Sequence, residues 1–308
     1  MTLKRILVLF LLAAPLYSQV SAGPISSPEA AAAAATVTEQ SRPVAYSDLY
    51  CNGFLSPTPL STQRFVAGGL DTPLQSRYFT GELIFLRGTG YAPGARVSIV
   101  RHLKDPDRFD PFPGQSRRLN SAGELYGDIG YAVVLENRGT HMAVARVEFA
   151  CDSVVDGDLV TPFAVRQPVY YRKSSTMDRF PAQLAAPIGQ IVASRDFDQY
   201  SGAGHKVFLN VGSAGGVKPG DYLRIVRGYR KSEMDSTDAA VFSSNIYEDT
   251  QKDPPRLPHD ELGDLPRRVI GEAVILSTRP HSASAMITFS LQEIQVGDSV
   301  EREQPPAR

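Results

Sequence analysis

The chain has 308 residues, 42% hydrophobic and 21% charged, which is ordinary globular material with room for two domains. Its 32 basic and 33 acidic residues are dispersed along the sequence, which excludes the basic footprint that nucleic acid or an anionic membrane requires. Beyond the N-terminus no stretch reaches the ~18 consecutive apolar residues of a spanning helix, so the chain is expected not to be membrane-embedded.

In chain order, the first element is a targeting segment. Lys4 and Arg5 form a basic head, Ile6 to Ala14 an apolar core too short to span a bilayer, and Val20-Ser21-Ala22 a small-residue cleavage site before Gly23. Residues 1–22 therefore read as a signal peptide. The first cysteine is Cys51, far from that junction, so the expected product is periplasmic or secreted and not lipid-anchored. Residues 23–45 are rich in alanine and proline with no apolar face to bury, which predicts a flexible spacer. Pro162, Pro168, Pro181 and Pro187 interrupt any strand ladder, which predicts a linker over 166–185. These breaks leave domains at 46–165 and 186–303 and a disordered tail at 304–308. In an exported chain, two cysteines without a CxxC spacing or a neighbouring histidine predict one disulfide, Cys51 to Cys151.

The two halves repeat each other. GELIFLRGTGYAPGARVSIVRH from Gly81 answers GHKVFLNVGSAGGVKPGDYLRIVRG from Gly204: Ile84-Phe85-Leu86 matches Val207-Phe208-Leu209, Pro93-Gly94 matches Pro219-Gly220, and Ile99-Val100-Arg101 matches Ile225-Val226-Arg227. After an insertion, GYAVVLENRGTHMAVARVEFACDSVVDGDLV from Gly130 answers GEAVILSTRPHSASAMITFSLQEIQVGDSV from Gly271, so that Gly157-Asp158 meets Gly297-Asp298. Short β-branched runs between Gly, Pro and Asp read as strand, turn, strand. Alternation places Val97, Ile99, Leu223 and Ile225 inward and Arg96, Ser98, Tyr222 and Arg224 outward. Pro-Gly suits the centre of a type II turn, and Asp158, Asp221 and Asp298 are placed to bond back to turn amides. Ala95, in the place of Asp221, cannot do so, and its turn is expected to be looser. The fold class is therefore all-β: two related small barrel-like domains, each with one long inserted loop after Ile-Val-Arg, over 102–128 and 228–268.

VKPGDYLRIV resembles the opening of a lysin motif, but RGYRKSEMDSTD after it lacks the helical period that fold needs. The five histidines have no metal-ligand spacing, Gly212 to Gly216 lacks the Lys-Ser/Thr of a phosphate loop, and DPDRFD and DGD read as solvated turns. With no nucleophile elbow and no placeable carboxylate pair, the expectation is a protein without cofactor and without catalysis. Aromatic residues and arginine anchor interfaces, which makes Arg117, Arg118, Arg267 and Arg268, at the return of each long loop, and Phe242 and Tyr247, within the second, the candidate interface residues. Tyr46, Tyr50, Tyr170 and Tyr171 flank the domains in the same sense.

The doubled pattern VFLNVG…GVKPGD…IVR followed by G…VIL…VGD.V resembles the C-terminal β-domain of the flagellar H-ring assembly protein T, a domain similar to one that follows a lysin motif in a secretin-associated protein of type IV pili. The resemblance covers 204–300 well and 81–160 less well. It implies a periplasmic, non-catalytic protein whose partners are envelope proteins, such as those of a ring, pilus or secretin complex. The alternative reading is a module that binds cell-wall glycan, with peptidoglycan as partner. Nucleic acid is not an expected partner.

Overall fold

The computed structural model describes residues 41–106, 110, 112, 114–172, 177–181, 188–229, 240, 250, 252, 255, 257–258 and 260–303. Phe242 and Tyr247, and most of the second inserted loop, lie outside the described residues. In chain order the elements are β1 (Arg42–Pro43), α1 (Tyr46–Tyr50), β2 (Phe54–Ser56), β3 (Phe65–Gly69), β4 (Arg77–Tyr78), β5 (Leu83–Arg87), β6 (Arg96–His102), α2 (Gln115–Ala122), β7 (Glu124–Arg138), β8 (Met142–Ala150), β9 (Val154–Val155) and β10 (Leu159–Pro162). They continue with β11 (Tyr170–Tyr171), β12 (Gly189–Ser194), β13 (Tyr200–Ser201), β14 (Lys206–Leu209), β15 (Tyr222–Arg227), β16 (Arg268–Thr278), β17 (Ala283–Ser290), β18 (Ile294–Gln295) and β19 (Ser299–Arg302).

Two closed six-stranded barrels result. The first runs β7-β6-β10-β3-β5-β8 and closes through β7–β8; the second runs β16-β15-β19-β12-β14-β17. Strand for strand the two cycles are the same, and the ribbons β4–β9 and β13–β18 also correspond. Even the irregularities repeat. The ladders pass over Ile129, Glu148, Leu135 and Ala67 in the first barrel and over Ile270, Thr288, Leu276 and Val192 at the matching places in the second. Such bulges coil a sheet tightly enough for six strands to close. Beside two of them the backbones crowd: a Cβ on Gly130 would stand 2.1 Å from the Phe149 carbonyl oxygen, and one on Gly271 2.7 Å from that of Phe289.

The inward positions expected from alternation fill both interiors. Val66, Ile84, Leu86, Ile99, Val134 and Val160 form the first core, and Ile191, Leu209, Leu223, Ile225, Ile275 and Ile287 the second. Both Pro-Gly turns are type II, with Gly94 at φ 81° and Gly220 at φ 89°. The Lys218 amide donates to Asp221 Oδ2 at 2.9 Å, a bond that Ala95 cannot offer. Yet the first turn is not looser, since Ala95 N to Ala92 O is 3.0 Å and Asp221 N to Lys218 O is 3.1 Å. Gly94 N and Ala95 O each bond to Val134, at 2.8 and 2.9 Å, and this ladder holds the turn without a side chain.

Three expectations are corrected. The first inserted loop is shorter than 102–128, because β7 begins at Glu124, and much of it is helical. It is also packed against the second barrel: Phe112 lies buried in the second barrel's core cluster against Gly297, and Gln115 Nε2 donates to the Val192 carbonyl at 3.0 Å. Spacer and linker are less extensive than expected, since β1 pairs with β11, and Val44 and Val169 are buried with Leu49, Val274, Leu276 and Met286 on the outside of the second barrel. Arg166 donates two bonds to Asp128, at 2.8 and 2.9 Å, and one to Asn52 at 2.9 Å. The repeat also starts earlier than Gly81 and Gly204, at β3 and β12. Cys51 and Cys151 form the disulfide, tying the end of α1 to the end of β8 across 100 residues. Among the described residues no helix is long and apolar enough to cross a membrane.

Candidate functional site

The expected turn aspartates do more than cap turns. Asp158 Oδ2 accepts the Val155 amide at 2.9 Å and Asp298 Oδ2 that of Gln295 at 2.7 Å, and each carboxylate also takes two bonds from an arginine. Arg101 reaches Asp158 at 2.8 and 2.9 Å and the Ser153 carbonyl at 2.7 Å. Arg227 reaches Asp298 at 2.7 and 2.8 Å and the Glu293 carbonyl at 3.0 Å. DGD is thus a solvated turn only at Asp156 and Gly157, because the Asp158 side chain is almost fully buried. Burial pushes the Asp298 carboxyl upward while Arg227 opposes the shift, and the bond to Asp158 pushes the Arg101 guanidinium upward. Each pair locks the strand end from which an inserted loop departs to the turn between the last two strands of its barrel.

Where the first loop crosses to the second barrel there is a cavity of about 470 Å³. Leu119, Leu125 and Phe197 line its apolar part, and His102, Asn120 and Glu124 its polar part. His102 Nε2 stands 3.4 Å from Glu124 Oε2 and its ring stacks on Tyr126 at 4.9 Å, while the Tyr126 hydroxyl donates to Glu124 at 2.9 Å. Apolar lining residues together with the Asp105 and Glu124 carboxylates suit an apolar side chain next to a hydrogen-bond donor.

The outside of the second barrel carries a charged cluster. Glu272 is buried and accepts Thr288 Oγ1 at 2.8 Å and Arg172 at 3.1 Å; Arg172 also pairs with Glu303 and lies 4.5 Å above the Tyr222 ring. Arg267 stands 3.0 Å from Glu301. Burial pushes the Glu301 and Glu303 carboxyls upward, against the arginines beside them.

The candidate arginines divide. Arg267 belongs to this cluster, Arg268 bonds the Tyr229 hydroxyl and covers its ring, and Arg118 stands 5.4 Å over Phe112; only Arg117 of the four is exposed. They do not converge on one surface feature. Tyr46 and Tyr50 stack together and pack on Tyr131, Phe149 and Phe163, forming an aromatic cluster in which Tyr50 is half-buried while Tyr46 stays 49% exposed.

An apolar knob was missed by sequence reading. In the loop between β3 and β5, Leu70, Leu74 and Phe79 are 65%, 95% and 53% exposed. A fixed frame holds them. Thr72 Oγ1 bonds the buried Tyr78 hydroxyl at 2.7 Å and accepts the Gly69 amide at 2.8 Å, Tyr78 donates to the Gln75 carbonyl at 2.9 Å, and Glu82 accepts the Phe79 amide at 2.7 Å. The available signal was the run GGLDTPLQSRYF, three large apolar residues among turn formers. Among the described residues no group of three His, Cys, Asp or Glu side chains is placed to hold a metal ion. No protein-family model matches the chain, and no curated protein matches it.

Proposed function

We propose that the protein is an exported, non-catalytic scaffold that binds other proteins of an envelope assembly in the periplasm, through the outer surface of its first barrel. The observation that carries this reading is the knob of Leu70, Leu74 and Phe79. Large apolar side chains on a loop whose backbone is fixed by hydrogen bonds dock without the cost of ordering that backbone, which is how preorganised anchors gain affinity. The disulfide fits an oxidising compartment. The packed barrels add to the reading, since their interiors are occupied by their own aliphatic side chains.

The test places a photocrosslinking residue at Leu74 in the native host and identifies what is captured. Capture of an envelope protein, abolished by Leu70→Asp, is the expected result. Capture of nothing, together with retention of the purified chain on isolated cell-wall sacculi, would replace the scaffold reading with the glycan-binding one.

A further inference from the structure

The outer face formed by β12, β14 and β17 in the second barrel is sealed by the first domain. Phe208 is fully buried against Leu55, Ala122 and Leu125, Ser284 donates to the Gly53 carbonyl at 2.8 Å and Ser282 to that of Leu55 at 3.2 Å, and Phe112 covers Gly297. The sealing pieces are segment 53–56, which pairs with the start of β7, and the inserted loop that follows β6.

The same face exists on the first barrel, on β3, β5 and β8. Register places Phe85 where the second barrel has Phe208, Val144 where it has Ser284, Ala67 where it has Val192 and Gly157 where it has Gly297. Phe85, Val144, Met142 and Ala67 are half-buried, Gly157 is exposed, and a Cβ on Gly157 would meet nothing within 4 Å. At the centre of this face valine replaces the hydrogen-bonding serine, while at its border the exposed Arg146 stands where the sealed face has the buried Met286. The segment between the two barrels carries a matching piece, which is exposed. The Arg179 carbonyl accepts the Val269 amide at 2.8 Å, a single bond to the start of β16, where segment 53–56 pairs with the start of β7 over three residues. The next residue, Phe180, is 63% exposed.

We propose that the open face of the first barrel receives the second barrel of another copy of this chain, repeating between molecules the contact that joins the two barrels within one. This rests on reading the first barrel's outer surface as protein-binding, and it names the partner. The contact is heterologous: face and edge are different surfaces, so each added molecule leaves one of each exposed and the assembly grows into an open chain or a ring.

Sedimentation of the purified chain from about 1 µM to about 1 mM tests it, since a contact of this kind dissociates within that range. The expected result is a mass that rises with concentration past that of a dimer. Val144→Asp, on the face, and Phe180→Asp, on the edge, each weaken association by about tenfold or more. Phe180 is exposed, so its replacement leaves both cores intact. An equimolar mixture of the two variants regains a dimer and nothing longer, because each supplies the surface the other lacks. A wild-type chain that stays monomeric throughout, or variants that associate as the wild type does, would overturn the proposal. If the chain stays monomeric while the Leu74 crosslink still captures a different protein, the scaffold reading stands and the self-assembly proposal falls; if neither occurs, both fall.

Discussion

The two barrels share one strand cycle and one set of bulges, yet the second has its β12–β14–β17 face sealed while the first has its β3–β5–β8 face open. Phe208 and Phe85 occupy one place in the repeat, and only Phe208 is fully buried. The difference teaches that the cycle sets the barrel, whereas the outward residues and the covering segments set what the barrel touches. The inserted loop after β6 holds the barrels together through Phe112, Gln115 and Ala122.

Four comparisons sharpen or break this account. The largest effect is expected for the disulfide, which only the first copy has. Its loop of 100 residues corresponds to about 4.7 kcal/mol on the chain-entropy model, so Cys51→Ser with Cys151→Ser is expected to lower denaturant stability by about 5 kcal/mol. Next come the paired arginines. Arg227→Ala strands a buried carboxylate and is expected to cost about 3–5 kcal/mol, whereas Arg101→Ala costs less, because the Arg101 side chain is 27% exposed and water reaches it. Equal losses in urea melts would show that the two pairs are not distinguished by burial.

Phe208→Ala is expected to cost about 3–5 kcal/mol and Phe85→Ala about 1 kcal/mol in the monomer, since only the first truncation opens a cavity under a sealed face. A large loss at Phe85 in dilute solution would mean that its own chain already covers it.

The smallest effect concerns pH. Glu301 and Glu303 are held above their ordinary value of 4.5, so the native state binds their protons more tightly than the unfolded chain does. Their contribution to stability is therefore fully present below pH 4.5 and declines as pH rises through the native values. Replacing both by Gln should flatten stability against pH above that point. A steeper dependence in the double variant would contradict the assignment of burial as the leading cause.

Much of this was legible in the sequence, for reasons particular residues make plain. Strand alternation and the Gly requirement are local, so Val97, Ile99, Leu223 and Ile225 fell inward and Pro93-Gly94 and Pro219-Gly220 turned as their dihedrals require. The Arg–Asp pairs left a signal that was not used: both copies keep the arginine of Ile-Val-Arg and the aspartate of Gly-Asp, and residues retained together are often in contact. β3 was missed because FVAGG carries two glycines and β12 because it follows a proline break. The pairing of β1 with β11 had no periodicity to reveal it, since each has two residues. Phe112 reads as a loop residue in DPFPG, and only the position of Gly297 in another domain makes it a core residue. The knob at Leu74 depends on a frame of side-chain bonds that no pattern of apolar residues encodes.

The most direct measurement of the central claim is covalent surface labelling of Phe85 and Phe208, read by mass spectrometry at low and at high protein concentration. The account predicts that Phe208 is protected at both, and that Phe85 is labelled when dilute and protected when concentrated. Phe85 protected at every concentration would contradict it, because the open face would then be closed by the chain itself, and Phe208 labelled at either would contradict the sealed one.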